Sequence, residues 1–143
     1  MVVKIKKLHK DSILPSYAKK GDAGMDLTAV QRTFTKDYIS YKTGLAFEIP
    51  DGYVGLLFPR SSNCKKELIL SNSVGVLDSG YRGEVEFRYR IVPNYNMYEE
   101  NIYEIGDRVG QLLILPYPEV QFEEVNELSV TERGAGGFGS TNI

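Results

Sequence analysis

Glu84-Val85-Glu86-Phe87-Arg88-Tyr89-Arg90-Ile91 alternates charged and apolar residues without a break. Successive side chains of an extended chain point to opposite faces, so this period of two predicts a strand. Val85, Phe87, Tyr89 and Ile91 fall on one side of it and the charges on the other. The same period runs through residues 44–49, Gly-Leu-Ala-Phe-Glu-Ile. Apolar runs at 53–58, 109–115 and 120–125 are bounded by Gly, Pro, Asp or Asn, as strands are. Helical stripes are missing, with one exception. Residues 61–68, Ser-Ser-Asn-Cys-Lys-Lys-Glu-Leu, place capping residues before helix formers and predict about two turns. Many short strands with turn signals between them predict an all-β body (a sandwich, barrel or jelly roll) in one domain without an internal repeat.

A chain of 143 residues, 42% hydrophobic and 25% charged, is of ordinary globular make-up. Folded compactly, it should expose roughly 7,400 Å². Seventeen Lys and Arg against 19 Asp and Glu leave a net charge of -2, so no basic field exists to hold a nucleic-acid backbone. One cysteine and one histidine exclude an internal disulfide and a His-rich zinc site. The first eleven residues lack the apolar stretch of a signal peptide, and no apolar run is long enough to span a bilayer. The expectation is a cytoplasmic protein with no nucleic-acid or membrane partner.

Chemistry concentrates in five short segments. At 133–141, Arg-Gly-Ala-Gly-Gly-Phe-Gly-Ser-Thr packs glycines between an Arg and two hydroxyls. Such a run reads as a triphosphate clamp or as a plain glycine-rich tail, since it lacks the Gly-Lys-Ser/Thr ending of a P-loop. Residues 72–83, Asn-Ser-Val-Gly-Val-Leu-Asp-Ser-Gly-Tyr-Arg-Gly, have the composition of a tight hairpin. The segment is either only a turn or a pocket, with Asn72 beside bared backbone, Tyr81 under a sugar and Asp78 on a water. Pro59-Arg60-Ser61-Ser62 closes a strand where the helix begins, a place suited to an anion or to a simple cap. Ala23-Gly24-Met25-Asp26-Leu27 and Gly106-Asp107-Arg108-Val109-Gly110-Gln111-Leu112 set polar groups beside strand residues. Cys64 has no histidine near it in sequence and reads as a surface thiol.

In this order, the five segments resemble the five motifs of the homotrimeric dUTP pyrophosphatase (dUTPase) family, and they span residues 23–141. The resemblance implies a jelly-roll-like β-clip subunit with one short helix, covering 1–143, with 133–143 as a flexible glycine-rich lid. It implies a homotrimer with sites shared between subunits, and hydrolysis of dUTP to dUMP and pyrophosphate by water attack on the α-phosphorus. That reaction limits uracil in DNA and supplies dUMP for thymidylate synthesis.

Carried over by position, Asp26 helps hold Mg²⁺ through water, Asp78 orients and deprotonates the attacking water, and Gln111 places that water and the α-phosphate. Arg60, Ser61 and Ser62 contact the phosphates. Asn72 and the backbone at Gly75, Val76 and Leu77 read the base, and Tyr81 packs on the sugar. From the tail, Phe138 stacks on uracil, while Arg133, Gly139, Ser140 and Thr141 close on the γ end. Two residues depart from the usual pattern, Ser62 where Gly is common and Asn142 where the tail often continues with Gly. The rival resemblance, dCTP deaminase, shares the Arg-Ser-Ser element but relies on a glutamate where this chain has the Asp78 and Tyr81 hairpin. A nucleotide-switched interaction protein and a plain β-sandwich binding module are the alternatives from other classes.

Overall fold

The computed structural model describes residues 1–92 and 101–137. Ten strands form among them: β1 (Lys4–Lys7), β2 (Met25–Thr28), β3 (Gln31–Phe34), β4 (Ile39–Lys42), β5 (Leu45–Glu48), β6 (Tyr53–Phe58), β7 (Leu68–Leu70), β8 (Gly75–Leu77), β9 (Glu86–Ile91) and β10 (Arg108–Pro116). One antiparallel sheet runs β2-β10-β6-β8, a second runs β3-β4-β9-β7, and β1 pairs with β5.

Both large sheets feed one core. Leu27, Leu57, Leu77 and Leu112 come from the first and Ile39, Tyr41, Phe87 and Tyr89 from the second. Each such side chain is worth about 1.5–3 kcal/mol on burial. The alternation that predicted β9 is visible in it: Val85, Phe87 and Tyr89 are buried, Arg88 and Arg90 exposed, and Ile91 emerges at the strand end. Tyr41 meets Tyr89 and Tyr103 edge-on, with ring centres 6.0 and 5.8 Å apart. The Tyr89 hydroxyl donates to the Val109 carbonyl at 2.6 Å. Burial pushes that phenol far above its ordinary range, so it stays a neutral donor.

Three sequence expectations need correction. Residues 61–68 do not make two helical turns. A 3-10 helix occupies Ser61–Lys65, Arg60 stands at its N-terminal boundary with no side-chain cap, and β7 takes over at Leu68. Residues 120–125 form no strand; Val120, Phe122 and Val125 are exposed, and no strand among the described residues offers them a ladder. Nor is 72–83 a laddered hairpin. The Asp78 carbonyl accepts from the Tyr81 amide in a tight turn, but β8 pairs with β6, while β9 beyond the turn pairs with β4 and β7. The chain uses this segment to cross between sheets, and the preceding turn crosses too, with Ser73 held at a positive φ of 61°. Among the described residues no helix is long and apolar enough to cross a membrane.

Candidate active site

β10 is the middle of the site. It pairs with β2 on one side, setting Gln111 opposite Asp26, and with β6 on the other, setting Gln111 opposite Phe58. Directly opposed residues share a face, so Asp26 and Gln111 stand side by side. The register slips between Arg108 and Gly110. Three residues apart on a regular strand, Arg108 and Gln111 would point to opposite faces. A bulge adds one residue to the count and re-aims the chain, so both flank Asp26.

A cleft of about 570 Å³ opens here, lined by Asp22, Gly24, Asp26, Arg60, Ser61 and Gln111 among others. Gln111 Nε2 donates to the Pro59 carbonyl at 3.0 Å, tying β10 to the turn that carries Arg60. On the other side of Gln111 lies Gly24, where an added Cβ would sit 2.2 Å from Gln111 Oε1. Any side chain at 24 would displace the amide.

Asp26, with its side chain one-fifth exposed, is held by two guanidiniums. Arg60 Nε donates to Oδ1 at 2.8 Å and its Nη2 to Oδ2 at 3.4 Å, while Arg108 Nη1 donates to Oδ2 at 3.0 Å. Arg60 Nη1 also reaches Ser62 Oγ at 3.3 Å. Beyond this ridge a second cleft of about 390 Å³ is lined by Arg60, Ser62, Lys65, Lys66, Asn101, Tyr103, Asp107 and Arg108. The first cleft thus carries carboxylates and the second a surplus of cations.

The third segment lies elsewhere. Gly55 stands opposite Leu77 and Phe58 opposite Gln111, so Asp78 is displaced from Gln111 by roughly 13 Å along the strands and 10 Å across them, from ordinary strand spacings. Asn72, Val76, Asp78 and Tyr81 are all exposed, and Gly75 and Leu77 are buried on β8 beside β6. The Tyr81 ring lies over Gly83, where a Cβ would meet its hydroxyl at 2.3 Å, and that hydroxyl donates to the Glu84 carbonyl at 3.2 Å. Asn72 opens onto a separate hollow of about 430 Å³ with Tyr38, Ser71, Glu86 and Arg88.

Arg133 is exposed, its Nε donating to the Gly136 carbonyl at 3.1 Å in a local turn, and it lines neither cleft. Phe138, Gly139, Ser140 and Thr141 lie outside the described residues. One chain therefore gathers Asp26, Arg60, Ser61 and Gln111, with Ser62 alongside, and keeps Asp78, Asn72, Tyr81 and Arg133 apart from them. Sequence reasoning passed over Arg108, Gly24 and Asp22. Arg108 was readable as a charged residue inside the fourth segment, but only the bulge brings it to Asp26. Cys64 is exposed, as expected.

Comparison with known proteins agrees with the family resemblance. The family model described as dUTPase matches residues 10–142. A deoxyuridine 5'-triphosphate nucleotidohydrolase of Hydrogenobaculum sp. is 40% identical over 149 residues, covering 100% of this chain and 99% of the relative. Among solved structures, the dUTPase of Staphylococcus bacteriophage 80alpha with dUpNHpp superposes with a TM-score of 0.85 at 29% identity, covering 99% of each chain. A mutant dUTPase of phage phi11 of S. aureus, described for its coordination of a structural Mg(II) ion, gives 0.73 at 25% identity over 89% of this chain and 98% of that one. With its β-clip body, its five ordered motifs and a family model spanning nearly its whole length, this chain belongs to the dUTPase family.

Proposed function

We propose that this protein hydrolyses dUTP to dUMP and pyrophosphate in a homotrimer whose sites are each assembled from more than one subunit. The observation that carries this reading is the separation of Asp78 and Tyr81 from the cleft holding Asp26, Arg60 and Gln111. A general base must come within about 3 Å of its water, and a distance of that order is out of reach within one chain. A neighbouring subunit that lays its 71–83 segment over this cleft completes the constellation. Val120, Phe122, Leu128 and Val130, each at least 59% exposed, suit burial against another copy.

Asp22 and Asp26 line one cleft, and among the described residues no three His, Cys, Asp or Glu side chains cluster to hold a metal alone. This donor set fits Mg²⁺, which keeps several waters and takes one or two carboxylates together with substrate phosphates. Asp26, together with the substrate phosphates, would hold the ion, which would supply positive charge against the triphosphate.

The chain's own residues do the rest. Asp78 accepts a proton from the water as its oxygen bonds to the α-phosphorus, and the bridge to the β-phosphate breaks to release pyrophosphate. Gln111, fixed by Pro59 and Gly24, orients the water and the α-phosphate. Arg60, Ser61 and Ser62 take the charge growing on the leaving group, and Arg133 with Phe138, Gly139, Ser140 and Thr141 closes the site. Uracil presents an acceptor at O4 and a donor at N3, the reverse of cytosine. A rigid edge at Gly75, Val76 and Leu77 with Asn72 leaves groups unpaired against the wrong base, and sites of that kind discriminate by roughly 10⁴ to 10⁵.

Phosphorus NMR with Mg²⁺ and parallel dUTP, dCTP, dTTP and UTP tests this directly. Monophosphate and pyrophosphate should form from dUTP alone. Survival of dUTP would overturn the reading.

A further inference from the structure

The turn that carries Ser61 and Ser62 has no apolar anchor. Ser61–Lys65 is a short 3-10 helix with no buried residue and no side-chain cap at Arg60. Four of its five residues are exposed, and Asn63 alone is half-buried. Asn63 Nδ2 donates to the Leu68 carbonyl at 2.8 Å, which fixes the orientation of the amide because a carbonyl only accepts. Oδ1 therefore faces Tyr103, whose hydroxyl donates to it at 3.1 Å. The backbone of the same residue closes the turn: its N–H donates to the Arg60 carbonyl and its carbonyl accepts from the Lys66 N–H, both at 2.9 Å.

Tyr103 is a rigid post. It is 3% exposed, its ring meets Tyr41 edge-on and lies 5.7 Å from that of Tyr89, and Lys66 Nζ stands 5.1 Å from its centre. Burial holds its phenol above the ordinary value, so the hydroxyl stays a neutral donor. Asn101 Nδ2 donates to the Lys65 carbonyl, and Lys66 Nζ to the Ile102 carbonyl, but these bonds hold the far end of the turn. Of the ties from 101–103, the Tyr103 bond alone enters the turn next to Ser62, and Tyr103 and Ser62 line the same cleft.

We propose that Asn63 and Tyr103 are positioning residues for the leaving group: the phenol holds Asn63, and Asn63 holds Ser61 and Ser62 where pyrophosphate forms. This rests on the phosphate contacts given to Ser61 and Ser62 above. A 3-10 helix has poorer hydrogen-bond geometry than an α-helix, so its placement depends on such ties. Charge on the leaving group peaks in the transition state, and hydroxyls displaced by about 1 Å therefore cost rate more than affinity.

Tyr103→Phe removes one oxygen and keeps the ring in the core. With enzyme in excess over dUTP and Mg²⁺ present, the single-turnover rate of dUMP formation should fall roughly tenfold, while dUpNHpp affinity by calorimetry changes less than threefold. A merely structural role would lower the melting temperature and leave the rate of the folded enzyme alone. That result would overturn the proposal, as would a loss of affinity equal to the loss of rate. The same substitution is then made in two backgrounds. In Asn63→Leu, itself slowed at least tenfold, Tyr103→Phe should cost less than a further twofold, and likewise in Ser61→Ala/Ser62→Ala. The full tenfold cost in either background would mean that Tyr103 acts by another route and would overturn the relay. If Ser61→Ala/Ser62→Ala forms dUMP at the wild-type rate, the phosphate role of the serines and this proposal fail together, while hydrolysis by wild type keeps the assigned activity standing. The serine background decides the matter by itself where Asn63→Leu loses its fold.

Discussion

The cleft around Asp26 and the segment 71–83 are built in opposite ways. In the cleft, every polar group stands on or beside the ladder β2-β10-β6, and its two central side chains are already bonded: Asp26 to two arginines, Gln111 to Pro59. In the segment, Asp78 is exposed with no partner for its carboxylate among the described residues, and Tyr81 and Asn72 face outward from turns at a sheet edge. A polar group that is preorganised within its own chain can bind phosphate alone. One that is left open at an edge is poised for something another molecule brings. Under the proposed assembly, charge handling falls to one subunit and water activation with base reading to the next.

The largest break of this comparison is Asp78→Asn. It removes the proton acceptor and leaves the cleft intact, so turnover should fall at least a hundredfold, as for loss of a general base, while dUpNHpp affinity by calorimetry stays within about threefold. Near-normal turnover would remove Asp78 from the chemistry. Deleting residues 133–143 should cost about as much turnover with an unchanged melting temperature, because the Arg133 side chain bonds Gly136 inside the deleted segment. Loss of the fold on deletion would make the tail structural. Gly24→Ala attacks the cleft instead. Its Cβ collides with Gln111 Oε1, so kcat should fall roughly tenfold in steady-state assays, with little change in unfolding free energy.

Much of this division was legible in the sequence, for reasons that differ by region. Alternation found β5 and β9, each with a face in the core, and bounded apolar runs found β6 and β10, which pair with each other inside their sheet. β1, β3 and β4 escaped notice; β1 and β3 lie at edges with mostly exposed residues, and β4 buries Ser40 along with Ile39 and Tyr41. The motif residues were readable as types. Their grouping was not, because the bulge before Gly110 decides where Arg108 points and because the β8-β6-β10 pairing within one sheet sets Asp78 apart from Gln111. The 120–125 run misled because its apolar residues Val120, Phe122 and Val125 stay exposed, with no partner strand among the described residues. A single sequence does not say whether a hydrophobic stretch is covered by its own fold or by a copy.

The smallest expected effect concerns the anchor beneath the second region. Glu86 borders the hollow that holds Asn72, accepts from Ser40 Oγ at 2.7 Å and pairs with Arg88. Burial raises its carboxyl, but Ser40 and Arg88 more than offset this and leave it below the ordinary value. A lowered carboxyl stabilises the fold fully above the ordinary glutamate range and loses that contribution as pH falls through the lowered value. Glu86→Gln should therefore cost about 1 kcal/mol in urea unfolding at pH 7, and less than half of that near pH 3. A deficit that does not shrink with acid would show the charge to be irrelevant.

The central claim, that one site takes its cleft from one subunit and Asp78 from another, is tested most directly by mixing two dead enzymes. Asp78→Asn and Gln111→Ala chains, co-expressed with different tags in equal amount, should regain about a quarter of wild-type turnover. In a cyclic trimer each mixed assembly has one site in three built from two intact halves, and about three quarters of random assemblies are mixed. If activity stays at the level of the separate parents in assemblies proven to carry both tags, each site belongs to a single chain and the account is wrong.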